Sequence, residues 1–169
     1  MMEKNWRAVY VSSRQEKKVN NLLSERGIET YLPLIKTLRQ WSDRKKMVEF
    51  PLIPGYVFVR SSEMERLAIL QTRGVVNFVR NNGKIGIVYN KEIETIKQLI
   101  ALGYHMEAFP STSKINQGDK IKIASGTLKN LEGFVIEERE SNFFEILIDG
   151  IGYNVRVKLP YALLIKSAI

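Results

Sequence analysis

Apolar positions along the first two thirds of the chain change period repeatedly, and each change marks an element. Residues 6–11 (WRAVYV) are apolar and β-rich, a period-2 strand. Val19, Leu22 and Leu23 follow at helical spacing. Before them stands Ser13-Arg14-Gln15-Glu16, with Ser and Glu three apart as in a capping box. Gly27 supplies the stop. Residues 30–38 predict a strand in which Pro33 argues for an edge or an irregularity. Residues 41–46 form a hairpin connection with a basic tip, and residues 47–52 return. Residues 56–59 are a short strong strand entered through Pro54-Gly55. Ser62 and Glu65 make a second capping box before the helix face of Met64, Leu67, Ala68 and Leu70. Residues 75–79 and 85–88 flank Asn81-Asn82-Gly83-Lys84, a hairpin signal because Asn and Gly tolerate positive φ. Asn90 is placed to cap a third helix carrying Ile93, Ile96, Leu99 and Ile100, ended by Gly103. The order β-α-β-β-β-α-β-β-α predicts an α+β domain, an antiparallel sheet with three helices on its faces.

From Gly118 the pattern becomes short strands between Gly-marked turns, at residues 120–124, 133–138, 143–149, 153–158 and 164–166. Five strands in so short a stretch predict a small all-β barrel, closed to avoid exposed edges. Between the two patterns, Phe109-Pro110-Ser111-Thr112-Ser113-Lys114 is small, polar and proline-marked, and reads as a linker. The predicted organisation is residues 1–105 as one domain, 106–116 as linker and 117–169 as a second domain.

Composition narrows the chemistry. The chain has 169 residues, 26 Lys and Arg against 18 Asp and Glu, and a net charge of +8. Residues 1–110 carry +7 of that and residues 111–169 only +1. A basic balance favours a polyanionic partner, most often nucleic acid. With no Cys and one His, disulfides, thiolate catalysis, Cys-based metal sites and His clusters are excluded. No phosphate-binding glycine loop is present; Gly150 and Gly152 form only G-x-G, with no helix pattern after them. Glu137 and Glu138, adjacent on a strand, point to opposite faces and cannot share a site. His105 reads as a surface residue. Neither an enzyme nor a metal or cofactor requirement is expected. No apolar run reaches membrane-spanning length and no signal peptide opens the chain, so a cytoplasmic protein without a membrane partner is expected. Arg14, Lys17 and Lys18 lie in the first turns of a helix, against its dipole. This local misfit points to an anion, with a solvated helix face as the competing reading.

Two segments carry a specific resemblance. Gly118-Asp119, Ile121, Ile123, Gly126, Leu128, Asn130-Leu131, Gly133 and Val135 together resemble the KOW motif. Leu52-Ile53-Pro54-Gly55-Tyr56-Val57-Phe58-Val59 resembles the FPGYVLV-type strand of the NusG N-terminal (NGN) domain. The Trp6 strand, the Arg14/Glu16/Lys17 helix start and Thr72-Arg73-Gly74-Val75 with Phe78-Val79 match the same family in the same order. The chain is thus identified, over roughly residues 5–167, as resembling NusG-family transcription elongation factors, NGN plus SH3-like KOW barrel. Tyr31-Leu32-Pro33, the compact basic hairpin and Thr72-Arg73-Gly74 look more like the specialised RfaH and UpxY-type paralogs.

The resemblance implies a non-enzymatic, monomeric factor that docks on the clamp helices of the RNA polymerase β′ subunit, with β as a further contact. It would promote processive elongation and antitermination of specific operons, such as those for polysaccharide biosynthesis. The matching apolar patch is Tyr10, Ile53, Pro54, Tyr56 and Phe58, with Phe78 nearby; a structural core is the competing reading. Non-template DNA in the transcription bubble would meet Trp6, Ser12, Ser13, Arg14, Gln15, Lys18, Thr72 and Arg73. Arg14, Arg73 and Trp6 are the stacking candidates. The KOW loop Thr127, Leu128, Lys129, Asn130 and Leu131, with Phe134 beside it, would take a small-subunit ribosomal protein or Rho, with Leu128 exposed. Rival readings are a housekeeping NusG acting with Rho and the ribosome, and a ribosome-associated KOW protein whose RNA affinity centres on residues 118–166.

Overall fold

In the computed structural model the described residues are 2–111, 119–123, 128–138 and 141–159. Strand β1 (Asn5–Val11) is the axis of the N-terminal part because its alternation supplies two apolar faces. It lies antiparallel between β5 (Tyr56–Ser61) and β6 (Val75–Phe78), and β2 (Glu29–Tyr31) closes the far side, in the order β2-β5-β1-β6. Val9 and Val11 of β1, with Val57, Val59 and Phe78, face α1 (Glu16–Glu25) and α2 (Arg66–Leu70), whose Val19, Leu23 and Ile69 are fully buried. Trp6, Ala8, Tyr56 and Phe58 face the other way. They join Ile93, Ile96 and Leu99 of α3 (Asn90–Ala101). An antiparallel sheet with three helices is therefore present as the periodicity predicts.

Local chemistry departs from the expected caps. Arg14 adopts φ 59°, so the chain turns before Ser13 can serve as N-cap, and Gln15 takes that position without a side-chain bond. Glu16 instead spans the sheet and accepts the backbone N–H of Gly55 at 2.9 Å. The second box forms in its return half: Glu65 accepts from the backbone N–H of Ser62 at 2.9 Å. At α3 the box moves back one residue. Glu92 accepts the N–H of Tyr89 at 2.8 Å, while Asn90 accepts the indole N–H of Trp6 at 3.3 Å. Asn82 and Gly83 carry the positive φ values, 50° and 78°, that join the short strands β7 (Arg80–Asn81) and β8 (Lys84–Ile85).

Pro33 splits the strand expected over residues 30–38. The chain leaves β2, and β3 (Leu34–Gln40) pairs with β4 (Lys45–Pro51) as a separate two-stranded hairpin. The C-terminal part is β-rich. Its strands are β9 (Met106–Pro110), β10 (Asp119–Lys122), β11 (Glu132–Glu138), β12 (Ser141–Ile148) and β13 (Tyr153–Lys158), in the order β10-β11-β12-β13-β9. Residues 106–110, expected as linker, are thus the edge strand β9, a correction with a clear cause. Met106 is fully buried, and Arg156 of β13 lies over the rings of Phe109 at 5.2 Å and Phe143 at 4.8 Å. The same Arg156 meets Glu145, whose carboxylate is 2% exposed and also accepts from Asn154 at 3.2 Å. The strand expected at 164–166 lies outside the described residues.

Leu23, fully buried, and Leu38, 56% exposed on the hairpin, make a paired test. Leu23→Ala is expected to cost about 2–5 kcal/mol in chemical denaturation. Leu38→Ala should stay within about 0.5 kcal/mol.

Candidate functional site

The antiparallel register of β1 and β5 sets Tyr10 opposite Tyr56 and Ala8 opposite Phe58. The Tyr10 and Tyr56 rings are 4.9 Å apart, and the Tyr56 hydroxyl donates to that of Tyr10 at 3.2 Å. Burial first, then the hydroxyl contacts to Tyr10 and Tyr153, push the Tyr56 pKa far above the usual phenol range, so it stays a neutral donor. Phe58 is fully buried and stacks on Tyr31 at 6.3 Å. Tyr31 is itself raised to about 12 by burial and by the charge of Glu94. Ile53 is buried in the same cluster, and Pro54 is exposed in the turn leading into β5. Tyr10, Ile53, Tyr56 and Phe58 therefore share one face. Phe78 does not. It pairs with Val9 and packs beneath α1, so its expected place in this patch is corrected by strand parity.

The aromatic face is covered from the C-terminal side. Tyr153 of β13 meets Tyr56 edge-on at 5.2 Å. The buried cluster runs without a break from Trp6 and Phe58 to Phe144, Ile151 and Val155. Beside it two glycines let backbones touch: a Cβ added at Gly86 would overlap the carbonyl of Gly150, and one at Gly150 would overlap that of Ile87. The Asn81 amide donates to the Asp149 carbonyl at 2.6 Å. A cavity of about 300 Å³ remains between α3, at Lys91 and Glu92, and the C-terminal sheet, at Lys120 and Glu132. Burial raises the Glu92 pKa, with the charge of Asp149 adding to it and the Tyr89 N–H opposing it. Sequence reading missed Gly86, Asn81, Asp149 and Tyr153. The signal present was Gly150-x-Gly152, of which Gly150 serves this approach and Gly152, at φ 64°, the turn into β13.

Where β1 ends, just past Tyr10, the Ser12 N–H donates to the Gly74 carbonyl at 2.8 Å, which brings the turn before α1 beside the turn before β6. Gly74 needs its lack of a side chain twice over. Its φ is 93°, and a Cβ would lie 2.6 Å from Val19 Cγ2. Ser12, Ser13, Arg14, Lys18 and Arg73 are exposed here and Gln15 is half-buried. Two expected members are not available. Thr72 is 2% exposed, donates to the Ala68 carbonyl at 3.0 Å and accepts from Arg26 at 3.1 Å. Trp6 is 3% exposed beneath α3, on the aromatic face. Arg26, unnoticed in the sequence, braces α1 to α2 through the Ala68 carbonyl and Thr72.

In the C-terminal loop Thr127 lies outside the described residues. Leu128, expected exposed, is fully buried, Leu131 is buried and Phe134 half-buried; Lys129 and Asn130 face solvent. Among the described residues no group of His, Cys, Asp and Glu side chains is arranged to hold a metal ion, and no helix is long and apolar enough to cross a membrane.

A protein-family model described as "Transcription termination factor nusG" matches residues 4–97. A solved structure described as "Domain interaction in Thermotoga maritima NusG" is 25% identical, with a TM-score of 0.52, covering 98% of this chain and 98% of that one. Two conformations of the MjSpt4:Spt5 complex also match. Conformation A is 17% identical with a TM-score of 0.32, over 91% of this chain and 99% of that one. Conformation B is 18% identical with a TM-score of 0.29, over 97% and 99%. A comparison with curated proteins found no match.

The glycine contact gives a direct test. Gly150→Ala drives a Cβ into backbone rather than into a flexible side chain, so overpacking of about 1–3 kcal/mol falls on the closed arrangement. Small-angle scattering should register a larger radius of gyration, with far-UV circular dichroism unchanged.

Proposed function

Because the chain belongs to the NusG family of transcription elongation factors, we propose that it rides on RNA polymerase, docking by the aromatic face of β1 and β5 on the β′ clamp helices. Tyr10, Ile53, Tyr56 and Phe58 form that face, with Pro54 at its rim. The observation carrying this reading is that these four side chains converge on one face, where Tyr153 from far along the chain meets Tyr56 and Tyr10 stays 40% exposed. Such a face is suited to exchange one apolar partner for another. Docking therefore follows release of the C-terminal sheet, and the closed arrangement is the resting one.

The exposed cations Arg14, Lys18 and Arg73, with Ser12, Ser13 and Gln15, lie at the end of the sheet away from Gly86 and are the surface for non-template DNA in the bubble. Phosphates would meet the cations, and a base would stack on a guanidinium plane. Bridging clamp and DNA in this way disfavours pausing and termination. The function is antitermination of particular operons, of the RfaH or UpxY kind; the Thr72-Arg73-Gly74 turn and the compact hairpin support the specialised subclass. The C-terminal sheet is a KOW domain, an SH3-like barrel that begins with β9 rather than after it, so the N-terminal unit is residues 1–105 and no long linker follows. Its solvent-facing Lys129 and Asn130 are the point of contact for a small-subunit ribosomal protein or Rho once the sheet is released. The protein works as a cytoplasmic monomer.

With purified polymerase, Tyr10→Ala, whose ring is 40% exposed, should weaken binding about tenfold or more, and Tyr56→Ala with Phe58→Ala should abolish it. Gly150→Ala should bind tighter than the parent. Intact binding and antitermination by the Tyr56/Phe58 double variant would reject the docking face. For the DNA surface, Arg73→Glu should reduce crosslinking to the non-template strand while polymerase affinity holds; unchanged crosslinking would remove Arg73 from that role.

A further inference from the structure

The β3–β4 hairpin stands apart from both larger sheets, and its register sorts its side chains. Lys36 opposite Glu49 and Leu38 opposite Met47 share one face. Ile35 opposite Phe50, Thr37 opposite Val48 and Arg39 opposite Lys46 share the other. Within the ladder, this second face has two cations and no carboxylate. The Arg39 guanidinium lies over the Phe50 ring at 4.2 Å. Trp41, the first residue beyond the ladder, is 53% exposed, and its backbone N–H closes the tip by donating to the Arg44 carbonyl at 2.7 Å. Residues 34–51 hold five basic side chains against two acidic ones.

A groove of about 930 Å³ runs along this arm, lined by Lys36, Arg39, Trp41, Phe50 and, from α1, Lys17. Lys17 reaches Glu49 at 3.7 Å, which sets the base of the groove beside α1 and removes the one ladder carboxylate as an uncompensated charge. An exposed indole next to a guanidinium plane, in a groove of positive sign, matches the two needs of an unpaired strand: a flat apolar surface for a base and cations for its phosphates. A duplex offers only phosphates, because its base faces are stacked on one another.

We propose that the β3–β4 hairpin is a binding site for single-stranded nucleic acid, with Trp41 as the stacking platform and Arg39 and Lys46 as phosphate contacts. This site is separate from the Arg14, Lys18 and Arg73 surface, so the two assignments fail independently. The chain has two tryptophans, and Trp6 is 3% exposed, so quenching of intrinsic fluorescence reports on Trp41. An oligodeoxythymidine of about ten nucleotides, within the span such grooves cover, should quench the full chain saturably and less so with added salt. By anisotropy of the labelled oligonucleotide, Trp41→Ala should weaken binding about 5- to 150-fold. Trp41→Phe should restore most of it, Arg39→Glu should weaken it, and Arg73→Glu should leave the quenching in place. Trp41→Ala sits at an exposed tip, so the fold is not at risk. The proposal is overturned if the oligonucleotide does not quench, if Trp41→Ala binds it like the parent, or if a duplex of the same length quenches equally. It is likewise overturned if Trp41→Ala loses polymerase affinity with oligonucleotide binding unchanged, since that would make the arm a protein contact.

Discussion

Everything distinctive about this molecule follows from one burial problem. The β1–β5 ladder has two apolar faces, and α1 with α2 can cover only one. On the other, α3 reaches Trp6 and Tyr31 but leaves the Tyr10–Tyr56 end to be closed from outside the layer. Tyr153 covers Tyr56 there, while the glycine contact between Gly86 and Gly150 holds the C-terminal sheet against the layer nearer Ala8 and Trp6. An apolar face of aromatic rings is too large to leave wet without inviting association. A cover that is itself part of the chain resolves this: the rings meet edge-on, two backbones touch at glycines, and the buried side chains run on into the C-terminal sheet. The tyrosine hydroxyls matter here. Phenols are neutral at physiological pH, so the patch carries no charge that would resist an apolar partner, and the Tyr56–Tyr10 hydrogen bond leaves fewer polar atoms unpaired there.

Charge is arranged by the same geometry. The positive excess lies in the N-terminal part, and the exposed cations gather where the sheet does not need apolar side chains: at the turns before α1 and β6, and on the hairpin. The buried charges are pinned. Arg7 meets the Ser61 carbonyl and Glu63, and Glu145 is held by Arg156 and Asn154. The exposed cations before α1 thus begin at the turn that follows Tyr10, beside the aromatic face rather than on it.

Elements governed by local periodicity were legible in the sequence, and features set by distant pairing were not. The three helices, the Asn82-Gly83 hairpin and the β1–β5 core follow from spacing alone. The helix caps were harder, because Arg14 entered the left-handed region and Glu16 found a better acceptor role at Gly55 across the sheet. Phe78 was misplaced because a face is known only once register is known, and its partner Val9 lies some seventy residues upstream. Thr72 looks polar and available, yet its hydroxyl is consumed by Ala68 and Arg26. Residues 106–110 read as linker because they run into the polar, proline-marked stretch Phe109–Lys114, whereas their strand state depends on β13, far along the chain. The closing contact had no local signature: Tyr153 is an ordinary strand tyrosine until Tyr56 is beside it.

The strand β9 has a consequence for competition. Since α3 ends at Ala101 and β9 begins at Met106, the two parts of the molecule are joined by residues 102–105 alone, with Gly103 at φ 77° ending the helix. A tether that short makes the cover an intramolecular ligand, present at an effective concentration on the order of millimolar. A contact whose dissociation constant lies well below that concentration is then mostly made in the free protein. Under the docking proposed above, a partner for the aromatic face competes with a neighbour that never diffuses away, so the length of those few residues matters alongside the strength of the contact.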